Sequence, residues 1–275
     1  MAVEVDMVRN HLSFLLLAGP LLTTNGWGAS IVKGNWDIVN KTGQQANDFH
    51  IDAYSDSNLK FVKSVNGAFG TFNHGQSIFN PLVKQYDWSN GIVPNGGITH
   101  IGLELSQDAA NAINIQQAFW TLNGVKIGGF VKLAGFEVVP PAGNLNVRVR
   151  LMNETPPGEP NIPIFIRNAS WRVNNAPTPL EDLLYNGIGP TTPTPTPNFR
   201  IDSFFDVFPN LPLQNGDYFL LQGQVYGDEA GTDLIGNFVY EHEHIPEPAS
   251  LLLVGAGLLA LGLARSRMHL GERSI

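Results

Sequence analysis

Between residues 31 and 245 apolar side chains recur at every second position in short runs. Phe49, Ile51 and Ala53 alternate with His50 and Asp52; Ile101, Leu103 and Leu105 alternate with Gly102 and Glu104; Leu145, Val147, Val149 and Leu151 alternate with Asn146, Arg148 and Arg150. A period of two sends one set of side chains to a core and the other to water, so each run predicts a β-strand with one buried face. Asn123-Gly124 lies between Ala118–Leu122 and Val125-Lys126-Ile127, where it predicts a two-residue type I′ hairpin. Clusters of Gly, Asn and Pro separate the runs. The expected fold class is all-β, an antiparallel β-sandwich of jelly-roll or Ig-like kind, with one or two short helices.

Two segments carry helical signals. Thr178-Pro179-Leu180-Glu181 has capping-box spacing with proline at the first helical position, and predicts about two turns ending near Gly187. A second short turn is expected from Ser106 to Ala112. The Thr/Pro run from Gly189 to Pro197 favours an extended, solvated loop inside one domain.

The two ends are patterned differently. From Met7 the chain reads Met-Val-Arg-Asn-His, then an apolar run from Leu12 to Leu22, then the small residues Gly28, Ala29 and Ser30. A basic start, a short apolar run and a small-residue cleavage site predict a secretory signal peptide over residues 1–30. Glu4 and Asp6 are unusual ahead of such a run, which makes Met7 an alternative start to Met1. At the other end Pro246-Glu247-Pro248 precedes Ala249 and Ser250, an apolar run from Leu251 to Ala264, and Arg265-Ser266-Arg267. As a transmembrane helix, residues 249–264 would span about 24 Å against a hydrocarbon core of roughly 30 Å, a shortfall that snorkelling arginines cover. The arginines belong on the cytoplasmic side, which places the preceding domain outside the membrane.

Pro-Glu-Pro-Ala-Ser, a Leu/Gly/Ala-rich span and a basic cluster, following a signal peptide, resemble the PEP-CTERM sorting signal. The resemblance covers residues 246–267, within a tail taken as 246–275, and Met268–Ile275 extends past the usual end at the arginines. It implies that Pro246, Glu247 and Pro248 form the recognition motif, with Arg265 and Arg267 as the basic stop. It implies as partners an exosortase and a signal peptidase during export, with transient residence in the inner membrane. It further implies a Gram-negative source, tethering that faces the periplasm, and a final place at the cell surface or in the exopolysaccharide-rich biofilm matrix.

Composition narrows the chemistry of residues 31–245. With 43% hydrophobic and 15% charged residues the chain can bury a core, and a net charge of −8 without a basic cluster argues against a nucleic-acid partner. The chain has no cysteine, which removes disulfides and thiolate metal sites. No Gly-x-Ser-x-Gly elbow, phosphate loop or dinucleotide fingerprint occurs, so no catalytic residue, cofactor or metal is assigned and a non-enzymatic role is expected. His242-Glu243-His244, Asp228-Glu229 with Asp233, and Asp52 with Asp56 and Asn58 have the residue types of metal sites; solvated strand ends and hairpin turns explain them as well. Aromatic rings could stack on sugars. Trp36, Trp120 and Trp171 lie in strand patterns and are expected in the core, whereas Tyr86-Asp87-Trp88-Ser89-Asn90-Gly91 reads as a loop, making Trp88 and Tyr86 the candidate ligand-binding pair for exopolysaccharide. The alternative is a secreted carbohydrate-binding or carbohydrate-active protein, a hydrolase with a carboxylate pair in a cleft.

Overall fold

The computed structural model describes residues 30–54, 60–107, 112–139, 146–156, 158–183, 194–195, 198–214 and 216–243. The expected signal peptide, the span 249–264 and the sorting residues Pro246, Glu247, Pro248, Arg265 and Arg267 lie outside them. In chain order the strands are β1 (Ser30–Val39), β2 (Asp48–Tyr54), β3 (Lys60–Val65), β4 (Thr71–Gln76), β5 (Val83–Ser89), β6 (Ile98–Gln107), β7 (Ala112–Leu122) and β8 (Val125–Ile127). They continue with β9 (Gly135–Val139), β10 (Asn146–Met152), β11 (Ile164–Asn174), β12 (Thr194–Pro195), β13 (Phe199–Ile201), β14 (Phe204–Pro212), β15 (Tyr218–Tyr226) and β16 (Leu234–Glu243). All the strand pairings are antiparallel.

Two eight-stranded sheets result. The first runs β12-β11-β15-β16-β1-β6-β3, with β13 also on β11; the second runs β14-β10-β9-β7-β2-β5-β4, with β8 also on β7. Their apolar faces meet through aromatic pairs along the whole width. Phe61 stacks on Phe72 at one edge (5.0 Å between centroids), Phe136 on Tyr240 in the middle (4.8 Å), and Phe199 on Phe205 at the other edge (4.2 Å). Tyr240, fully buried, also accepts the indole N–H of Trp36 at 3.0 Å and donates to the carbonyl of Ala134, so its hydroxyl leaves no polar atom stranded in the core.

The alternating runs become β2, β6 and β10, with Phe49, Ile51, Ala53, Ile101, Leu103, Leu105, Val147, Val149 and Leu151 buried. Asn123 and Gly124 adopt φ of 52° and 76° and join Leu122 directly opposite Val125, the expected I′ geometry.

Three expectations are corrected. Residues 106–107 continue β6 and Ala112 opens β7, so at both ends the second expected helix is strand. The 178–187 helix is represented by a single 3-10 turn at Leu180–Asp182, residues from 184 lying outside those described. The capping box does not form, because Glu241 takes the Thr178 N–H at 3.1 Å and Glu181 instead pairs with Lys63. Trp88 and Tyr86 sit in β5, not in a loop, and are 0% and 2% exposed. Asp87 and Ser89, which look like turn residues, are the outward positions of that strand, and the turn starts only at Asn90, with φ of 61°. The indole N–H of Trp88 donates to the Val65 carbonyl at 3.0 Å, bonding one sheet to the other.

The segment carrying the 3-10 turn straps the outer face of the first sheet. Lys33 of β1 and Glu241 of β16 stand opposite each other and pair at 2.8 Å while 7% and 1% exposed. Lys33 also donates to the Thr178 carbonyl at 2.6 Å. Asn35 donates to the carbonyls of Leu180 and Leu183 at 2.8 Å, and those two leucines pack on Leu220 and Val239.

Removing one ion of a buried pair leaves the other uncompensated. Lys33→Met is expected to lower unfolding stability by about 3 kcal/mol in urea titration, with Lys33→Met/Glu241→Leu recovering part of the loss. Equal stability of the single variant and wild type would show that the pair does not hold the strap.

Candidate functional site

The outward positions of β4, β5, β2, β7 and β8 form a largely polar, half-buried face on the second sheet. Register sets its rows. Asn73, Asp87, His50 and Phe119 lie side by side across four strands; Thr71, Ser89, Asp48, Thr121 and Lys126 form the row beside them; Gln85, Asp52 and Gln117 form the row on the other side.

A hydrogen-bonded chain links the first two rows. His50 Nδ1 lies 2.6 Å from Asp87 Oδ1 and His50 Nε2 lies 3.2 Å from Thr121 Oγ1. The Thr121 hydroxyl donates to Asp48 Oδ2 at 2.9 Å, and Asp48 Oδ1 accepts the Asn90 N–H at 3.2 Å. Both ring nitrogens of His50 are thus engaged inside the sheet, one by Asp87 and the other by Thr121. Asp48 and Thr121 are buried, whereas the side chains of His50 and Asp87 are 22% and 40% exposed, so the chain opens to solvent at its Asp87 end.

Aromatic rings flank this chain. The Phe119 ring stacks on the His50 imidazole at 4.9 Å and meets Phe130 edge-on at 6.4 Å. The Lys126 ammonium sits 3.0 Å from the centre of the Phe130 ring, a cation–π contact, and burial holds its pKa below the usual lysine value. Gln117 and Phe130 also line a shallow depression together with Lys132 and Glu154.

Burial pushes the Asp52 carboxyl above its ordinary range, the nearby Asp87 charge adds to this, and amide hydrogen bonds from Gln117 and Gln85 oppose it. A face of carboxylates and amides can make directional hydrogen bonds with a polar ligand lying along it, beside the edge of an apolar ring.

The residues singled out from the sequence are placed otherwise. Trp88 and Tyr86, together with Trp36 and Trp120, are buried, and Trp171 packs on Phe208 and Phe219. His242 is fully buried; His244, Asp56 and Asn58 lie outside the described residues. Asp228 accepts from the backbone of Thr232 and Asp233 and from the Thr232 hydroxyl, contacts that hold its carboxyl below the usual range, while Asp233 pairs with Lys41. Both carboxylates thus serve the β15–β16 turn. Among the described residues no three His, Asp or Glu side chains gather as a metal-sized cluster.

His50, Asp87, Thr121, Asp48 and Phe119 were visible in the sequence only as the polar half of alternating strands. Nothing local marks them out, because they meet through the pairing of β2 with β5 and β7.

Residues 244–267 match the family model of the PEP-CTERM protein-sorting motif. This is the tail of exported proteins that are anchored in the membrane by sorting and processed by an exosortase. No curated protein and no solved structure matches the chain. Among the described residues no helix is long and apolar enough to cross a membrane.

A carboxyl raised by burial is penalised once ionised in the folded state. Its folded pKa exceeds its unfolded one, so stability falls as pH rises through the interval between them and stays lower above it. Asp52→Asn, which keeps an oxygen for Gln117, is therefore expected to stabilise the domain at neutral pH. The gain should shrink as pH drops below the ordinary carboxylate range, read from melting temperatures across pH; a gain independent of pH would overturn the assignment.

Proposed function

We propose that this chain is a non-enzymatic component of the bacterial surface or extracellular matrix, delivered through its PEP-CTERM tail and binding exopolysaccharide on the polar face of its second sheet. The observation that carries the reading is the sorting motif at residues 244–267. Signal peptidase removes residues 1–30; Pro246, Glu247 and Pro248 present the tail to the exosortase, Arg265 and Arg267 stop the span 249–264 at the cytoplasmic side, and the domain is left facing the periplasm. The fold fits such a role, since two sheets joined by aromatic pairs make a rigid carrier without disulfides.

Glycan binding is supported by the row Asn73, Asp87, His50 and Phe119, which offers hydrogen-bonding groups beside an aromatic ring on the outer side of the sheet. One observation favours the hydrolase alternative: Asp52, its carboxyl raised, lies diagonally across the strand pair from Asp87. Reducing ends released from exopolysaccharide by wild type, and lost in Asp52→Asn, would support it.

Expressed in its host, wild type should be recovered outside the membrane with an intact mass ending near Pro246, whereas Glu247→Ala stays in the membrane at full C-terminal length. Retention of both with residues 249–275 attached would reduce the tail to an anchor. Titration calorimetry with the producer's own exopolysaccharide should show heat release that is weakened at least about tenfold in Asp87→Ala/Phe119→Ala, the consequence of losing one carboxylate hydrogen bond and one apolar contact. Absence of heat with wild type would remove the glycan ligand.

A further inference from the structure

Ile78 and Phe79 stand at the apex of the β4–β5 hairpin with 89% and 93% of their surface open to solvent, and Leu82 beside them is 40% exposed. Isolated exposed apolar residues are ordinary; two adjacent large ones at the tip of an ordered projection mark a contact surface. The tip is held by its own bonds. Ser77 N–H donates to the Val83 carbonyl at 2.9 Å and Val83 N–H to the Asn80 carbonyl at 3.0 Å. Phe79 N–H donates to Ser77 Oγ at 3.3 Å and Leu82 N–H to Asn80 Oδ1 at 3.0 Å.

Strand register locates this tip. Gln76 pairs with Lys84, Val83 with Tyr54 at the end of β2, and Tyr54 with Asn114 near the start of β7. The end of β2 and the start of β3, and the end of β6 and the start of β7, lie at this same pole. There, in the first sheet, Lys60 faces Ser106, Ser30 faces Gln107 and Val32 faces His242. Glu243, from which the chain runs into the sorting motif, therefore leaves the domain at the pole where Ile78 and Phe79 project. Only residues 244–248 separate Glu243 from the apolar span beginning at Ala249, a reach of roughly 20 Å when fully extended. From Lys60 to Tyr86 there is no Asp or Glu, while Lys60, Lys84 and Lys63, the last paired with Glu181, are present, in a chain whose net charge is −8.

We propose that the β4–β5 apex is a membrane-contact element: while the tail is anchored, Ile78 and Phe79 enter the headgroup–acyl boundary of the same bilayer. This rests on the sorting tail being an anchor. A short tether keeps the pole near the lipid, a convex apolar tip inserts between headgroups without needing a complementary pocket, and a stretch free of carboxylates is not repelled by anionic phosphates. The second contact fixes the domain's orientation, so that the segment around Pro246-Glu247-Pro248 is presented at the surface of the bilayer.

The chain has no native cysteine, so a single Pro81→Cys can carry an environment-sensitive fluorophore, with Ile92→Cys, 70% exposed in the β5–β6 connection at the opposite pole, as reference. The full chain is reconstituted into phosphatidylethanolamine/phosphatidylglycerol vesicles and isolated by flotation. At position 81 a blue shift and quenching by lipids with spin-labelled acyl chains are expected, at position 92 neither; adding Ile78→Ser/Phe79→Ser should abolish both signals without changing flotation or melting. Floated protein with water-like emission at position 81 overturns the proposal and leaves the anchor intact. Protein that does not float overturns the anchor and the proposal with it. Emission at position 81 already shifted without vesicles, and dependent on protein concentration, assigns the tip to a second copy of the chain and overturns the lipid contact.

Discussion

The pairing of β1 with β16 is the constraint on which the rest of the domain depends. The first and last strands are central neighbours in one sheet, flanked by β6 and β15, and seven residue pairs from Val32↔His242 to Ile38↔Gly236 keep them in register. Within that ladder the Lys33–Glu241 pair is removed from water, so each ion is tolerable only with the other and with Thr178 beside it. The first sheet therefore cannot close until the last strand has been made. Such a sequence separation favours slow, late closure.

The same pairing gives the two sheets different outer faces. Over β1 and β16 the strap from Thr178 to Leu183 consumes the polar groups of Lys33, Asn35 and Glu241, and covers Leu220 and Val239. On β5, β2 and β7 the polar rows bond among themselves, through Asp87, His50, Thr121 and Asp48. One face is occupied by the protein's own chain, and the other carries rows of polar side chains bonded to one another. Antiparallel order also gathers the last described residue of β16 and the β4–β5 apex at one pole of the domain.

Two kinds of information met in this chain. Period-two alternation fixed β2, β6 and β10, because a strand's inward and outward sets depend only on neighbours in sequence, and Asn123-Gly124 fixed its hairpin because only residues tolerant of positive φ close that turn. The sorting motif at 244–267 is equally local, being recognised as a linear segment. Where a local signal competed with a distant partner it failed. The capping box at Thr178 lost its backbone donor to Glu241, and the turn-like residues around Trp88 were the solvent side of a strand whose other side is core.

Tertiary structure alone decided which polar residues meet. Alternation tells that His50, Asp87, Phe119 and Thr121 face outward, but not that they share a row, since sliding any strand by two residues preserves every inward position and dissolves the row. Register comes from long-range packing, from the Phe49, Trp88 and Trp120 cluster beneath that row and the aromatic pairs that lock one sheet to the other. The sequence by itself determined the strand class, its tightest turn and its sorting tail; the fold decided the polar face, the strapped face and the pole, because those depend on contacts between residues far apart in the chain.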